Sequence, residues 1–159
     1  MRDITILLAI VLFFGSCRST AKKPSVSWNT ITMVLDENEV IAITNGDDTS
    51  MVKTYNSGSI FMGWHKVKID SMKVHFTESE KDTIFILTER IIENPADTKG
   101  GCTDFVGDLK ITIDHGQYKD PGWFRQSIEY SGVCRWDTLS TETRQLNKIL
   151  SRKIKWWHK

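Results

Sequence analysis

Residues 108–114 read Asp108-Leu109-Lys110-Ile111-Thr112-Ile113-Asp114, and residues 124–130 read Phe124-Arg125-Gln126-Ser127-Ile128-Glu129-Tyr130. The first run alternates strictly between apolar and polar. The second alternates with Gln126 as its exception. A period of two is the signature of a half-buried strand. Between the runs lie Gly116, Asp120, Pro121 and Gly122, residues that turn a chain. The spacing predicts an antiparallel hairpin, with Trp123 in the loop that closes it.

The same pattern extends towards the amino terminus. Ile31, Met33 and Leu35 alternate with Thr30 and Thr32, Asp36-Glu37-Asn38 is a turn, and Val40 to Thr44 is a short β-branched run, which predicts another hairpin. Residues 45–59 are polar and rich in Gly and Ser, and are expected to form a loop anchored by Met51, Val52 and Tyr55. Ile60 to Ile69 reads as a strand, and Met72, Val74 and Phe76 continue the alternation. Thr77 to Asp82 reads as a charged turn and Thr83 to Thr88 as a further strand. A loop over 93–101 contains Pro95, Gly100 and Gly101.

The carboxy terminus changes period. Leu146, Ile149, Leu150, Ile154 and Trp157 recur at steps of three, one, four and three, the stripe of an amphipathic helix over about 141–157. Asp137, Thr138, Ser140 and Thr141 are candidate caps. The expected fold is α+β: an antiparallel sheet of five to seven strands with the carboxy-terminal helix packed on one face. The alternative is a small closed β-barrel with a trailing helix.

Composition is compatible with one ordinary globular domain. Of 159 residues, 40% are hydrophobic and 26% charged, which is too apolar and too evenly charged for a disordered chain. The net charge of +1 argues against a general nucleic-acid binder. That balance conceals an asymmetry. Residues 142–159 hold six Lys and Arg against one acid, whereas residues 18–141 hold 14 against 18. Arg144, Lys148 and Arg152 recur every fourth residue, a solvated face of the helix or a surface for anionic lipid, glycan or an acidic partner.

The amino terminus has a different character. Ile4 to Phe14 is apolar except for Thr5, and eleven residues as a helix span about 16 Å, roughly half a bilayer core. That length suits the apolar region of a secretory signal. Phe14-Gly15-Ser16-Cys17 follows, and it resembles the lipobox of bacterial lipoproteins, with Phe14 where that family usually has an aliphatic residue. The resemblance covers residues 1–17. It implies a signal peptide over 1–16, lipidation of Cys17, a tether over 17–27 and a single domain over 28–159. An ordinary signal peptide or an anchor helix is the competing reading. Several acyl chains hold a protein stably on a membrane. In that family an aspartate after the cysteine signals inner-membrane retention. Arg18 and Ser19 stand there instead, so the resemblance implies the outer membrane, with the domain facing the periplasm.

With Cys17 assigned to lipid, Cys102 and Cys134 remain, an even number in an oxidising compartment. A bridge between them closes a loop worth ~3.7 kcal/mol by chain entropy. Two free buried thiols are the alternative. An unbroken register centred on that pair would oppose odd residues to odd. The apolar set is odd on the first strand and even on the second, so the register must slip by one residue or the cysteines lie beyond the ladder. Gly107 and Gly132 are the natural sites for a bulge.

No catalytic or metal signature is present. His65, His75, His115 and His158 have no second ligand at metal spacing, and there is no glycine-rich phosphate loop and no activated-serine motif. No cofactor is implied. Six tryptophans are the compositional oddity. Trp123 with Arg125 and Trp136 beside Arg135 pair aromatics with arginine, the residue types of binding hot spots, while Trp156 with the basic residues of the last helix suits a membrane interface; filling a small core is the competing role for each tryptophan. The expected function is therefore non-catalytic binding of an envelope protein or glycan by a membrane-anchored domain. The alternatives are a carrier of a small apolar ligand in a barrel interior, and a hydrolase whose site is dispersed along the chain.

Overall fold

A computed structural model describes residues 28–35, 39–47, 49–56, 68–98, 109–133 and 135–154. Six strands, β1 (Trp28–Leu35), β2 (Glu39–Thr44), β3 (Thr49–Asn56), β4 (Lys68–His75), β5 (Leu109–His115) and β6 (Phe124–Tyr130), form one antiparallel sheet in the order β4-β3-β2-β1-β5-β6. Two helices, α1 (Glu78–Glu93) and α2 (Thr141–Lys153), complete the α+β domain. The sheet is open, with β4 and β6 at opposite edges, which removes the closed-barrel alternative.

Alternation decides which face is buried. Ile31, Met33 and Leu35 of β1 stand opposite Ile113, Ile111 and Leu109 of β5, and all six are buried. Ile41 and Ile43 continue this face through β2, and Val52 and Val74 through β3 and β4. Ile84, Leu87 and Ile91 of α1 and Leu146, Leu150 and Ile154 at α2 join the same core. Each such aliphatic side chain contributes about 1.5–3 kcal/mol by leaving water. The β5–β6 hairpin forms as its alternation requires. Its unbroken register pairs Leu109 with Tyr130 and Ile111 with Ile128, odd against even, so the apolar residues of both strands share one face; the bulge expected at Gly107 or Gly132 is not within this ladder.

Two local expectations are corrected. Thr77 to Thr88 is not a turn and a strand but the cap and first turns of α1. The Thr77 side chain accepts from the Glu80 N–H while Glu80 accepts from the Thr77 N–H, a reciprocal capping box. The β-branched run hides a helical stripe, Ile84, Leu87 and Ile91, at steps of three and four. Thr88 satisfies its hydroxyl on the Ile84 and Phe85 carbonyls, as a threonine can within a helix. The second correction is β3, where a loop was expected. Its core-facing residues include Ser50, fully buried among apolar neighbours, so the period of two is invisible in residue type.

Residues 60–67, Cys17, Cys102, Cys134 and Trp156 lie outside the described residues, and with them the predicted strand start, lipidation and bridge. Ser140 caps α2, whose described helical span ends at Lys153; α2 packs against α1 and is tied to its first turn by Lys153–Glu80 at 3.1 Å.

Candidate functional site

Among the described residues, the most exposed large aromatic side chains lie at one end of the domain. It is built by the loop between β5 and β6, the start of β1 and the first turns of α1. The loop is two consecutive turns. Asp120 N–H donates to the Gln117 carbonyl at 2.9 Å and Trp123 N–H to the Asp120 carbonyl at 3.0 Å. Gly122 sits at φ +93, where only glycine is unstrained, and Lys119 also takes a positive φ of 79.

On the helix-bearing side, four rings follow one another. A β-bulge between Trp28 and Thr30 turns the Trp28 side chain onto the same face as Ile31, where it is buried. Trp28 stacks on Phe85 of α1 with centroids 5.8 Å apart. Phe85 meets His115 edge to face at 6.1 Å, and His115 stacks on Phe124 at 4.1 Å. His115 is 3% exposed. Its Nε2 lies 2.9 Å from Gln126 Oε1, an oxygen that accepts from a ring N–H. Nδ1 is buried and has no hydrogen-bond partner among the described residues.

Further along the same turn region, Lys81 of α1 is buried and donates through Nζ to the carbonyls of Asn45 and Asp47. Asn45 in turn donates to the Trp28 carbonyl at 3.0 Å. These bonds tie the β2–β3 turn to α1 and to the first residue of β1.

On the opposite side of the hairpin, Asp114 accepts two bonds from Arg125, at 2.7 and 3.2 Å. This pairing raises the Arg125 pKa above its ordinary value and fixes the guanidinium 5.6 Å from the Trp123 ring. Tyr118 stands edge-on to Trp123 at 5.1 Å, with Lys119 Nζ 5.7 Å from the Tyr118 ring. Tyr118 is 69% exposed and Phe124 47%. The structure thus brings Trp123 and Arg125 together, as the sequence suggested, and adds Tyr118, Lys119 and Phe124. Tyr118 and Lys119 carried one readable signal, an aromatic and a cation inside a glycine-proline turn.

The other predicted site residues divide. Trp136, only 9% exposed, belongs to the core and is not part of the surface. Its short 3-10 turn is held by Arg135, which pairs with Asp137 at 2.9 Å, and by Asn147 of α2, which donates to the same carboxylate at 3.1 Å. Arg144, Lys148 and Arg152 are all exposed on α2, opposite the buried Thr143, Leu146 and Leu150. No carboxylate pairs with any of them among the described residues. Other cations behave differently: Lys110 pairs with Glu129, Arg125 with Asp114 and Lys153 with Glu80.

Among the described residues no group of three His, Cys, Asp or Glu side chains is placed to hold a metal ion, and no helix is long and apolar enough to cross a membrane. What these surfaces offer is non-covalent: aromatic faces at the hairpin end and, along α2, the Arg144, Lys148 and Arg152 groups that have no ion-pair partner among the described residues. No family model, curated protein or solved structure matches the chain.

Proposed function

We propose that this chain is an envelope lipoprotein, acylated on Cys17 and held at the outer membrane facing the periplasm, whose folded domain binds a protein with an acidic surface through α2. The observation that carries the binding reading is the exposed row Arg144, Lys148 and Arg152, which has no carboxylate partner among the described residues. Three cations spaced by four residues span about 12 Å of helix axis, a length matched by a short acidic stretch on a partner. The acidic balance of residues 18–141 leaves this helix as the part of the domain that attracts such a surface.

Crosslinking in intact cells, followed by mass spectrometry, tests the reading. A specific protein captured by the wild-type chain and lost from Arg144→Gln/Lys148→Gln/Arg152→Gln supports it. Capture that survives the triple substitution, or capture of glycan alone, would falsify it. The lipid anchor has its own test in the mass of the mature amino terminus, where a free amine away from Cys17 refutes acylation.

A further inference from the structure

We propose that the closed end of the β5–β6 hairpin is a seat on the phospholipid surface, with Tyr118, Trp123 and Phe124 in the headgroup zone. The inference rests on the reading of Cys17 as a lipid anchor and adds where the domain touches the bilayer.

The length of chain between anchor and fold carries it. Ten residues, 18–27, separate Cys17 from Trp28. They reach at most about 36 Å fully extended, and about 18 Å as a flexible coil. Trp28 stands opposite His115, the last residue of β5, so the tether joins the domain at the hairpin's closed end. The bonds from Asn45 and Lys81 hold that junction to the β2–β3 turn and α1. An anchor at Cys17, ten residues from Trp28, therefore brings this end of the domain to the membrane more readily than the opposite end.

The residues displayed there suit that surface. Tyr118 and Phe124 are the large hydrophobic side chains most exposed among the described residues, and Trp123 is half-buried between Tyr118 and Arg125. Tryptophan and tyrosine settle at membrane interfaces because an apolar ring and a polar tip match the headgroup boundary. Within the hairpin the charges cancel, since Arg125 is paired with Asp114 and Lys119 is followed by Asp120. A balanced tip is not repelled by an anionic bilayer, and gives an acidic or basic protein little to select.

The test uses the full chain, purified from membranes and reconstituted into vesicles of phosphatidylethanolamine and phosphatidylglycerol. Part of the lipid is brominated near the headgroup end of its acyl chains, so that it quenches tryptophan on contact. Emission of wild type minus that of Trp123→Phe isolates Trp123. That difference is expected to lose most of its intensity on bromination. An unquenched difference, on vesicles that carry acylated protein, overturns the seat and leaves the anchor standing. A mature amino terminus without acyl chains on Cys17 overturns both. Shielding of Trp123 that grows with protein concentration in detergent assigns the surface to a second copy of the chain, and also overturns the seat.

Discussion

The His115 ring lies parallel to the Phe124 ring, with centroids 4.1 Å apart and planes 5° from parallel. The pair closes the end of the β5–β6 ladder, because the same two residues are also the last register partners of the hairpin. Phe124 is about half in water, so it contributes part of a buried ring's transfer energy plus a stacking contribution. Phe124→Ala is expected to destabilise the domain by ~1–2 kcal/mol. Urea denaturation checks this as a lower midpoint at an unchanged slope, and an unchanged midpoint would refute the pairing.

On β5, one strand in from the sheet edge, the cost is larger. Ile111 is fully buried between Met33 of β1 and Ile128 of β6. Removing its branched side chain loses transfer energy and leaves a cavity. Ile111→Ala should cost about 2–5 kcal/mol by the same measurement.

The two helices depend on their first turns. Thr77 and Ser140 each accept from a backbone N–H three residues on. Thr77→Ala and Ser140→Ala are each expected to cost ~1 kcal/mol, because a helix N–H is left without its side-chain acceptor. Circular dichroism through a denaturant titration would show both.

Glu80 makes one part of the acid limb of stability predictable. Partial burial pushes its carboxyl up, but the Thr77 N–H, the Lys153 ammonium and the Thr77 hydroxyl together outweigh burial and hold it below its ordinary value of 4.5. A carboxyl depressed in the folded state contributes stability that is present above the unfolded value and is lost as pH falls through the folded one. Wild type should therefore exceed Glu80→Gln in stability near neutral pH, and the gap should close as the pH is lowered below that ordinary value. A gap independent of pH would show that the ion pair with Lys153 is not what Glu80 supplies.

Substitution along α2 separates stability from binding. Arg144, Lys148 and Arg152 project into solvent without ion pairs among the described residues, so Arg144→Gln/Lys148→Gln/Arg152→Gln should leave stability within about 1 kcal/mol. A large loss in thermal or urea unfolding would mean that the row is structural, and would remove the basis for assigning it to a partner.

Residue type alone determined the β1–β2 and β5–β6 hairpins and the stripe of α2, because each carries a period that neighbouring residues can express: two for a strand with one wet face, three and four for a packed helix. It also determined the Trp123–Arg125 pairing, which lies within a single turn and the strand that follows. Tertiary structure decided the rest. Thr83 to Thr88 has the composition of a strand, and becomes helix because Thr77 and Glu80 cap it and Ile84, Leu87 and Ile91 find the sheet to cover. Ser50 in β3 breaks the apolar alternation, and only its neighbours β2 and β4 place it in a ladder. Trp136 and Trp123 have similar local sequences, each next to or near an arginine. Which of them is core and which reaches the surface depends on contacts made by residues far away in the chain. The hairpin's place beside Trp28 likewise comes from the pairing of β1 with β5, between residues as far apart as Trp28 and His115, which no local pattern encodes.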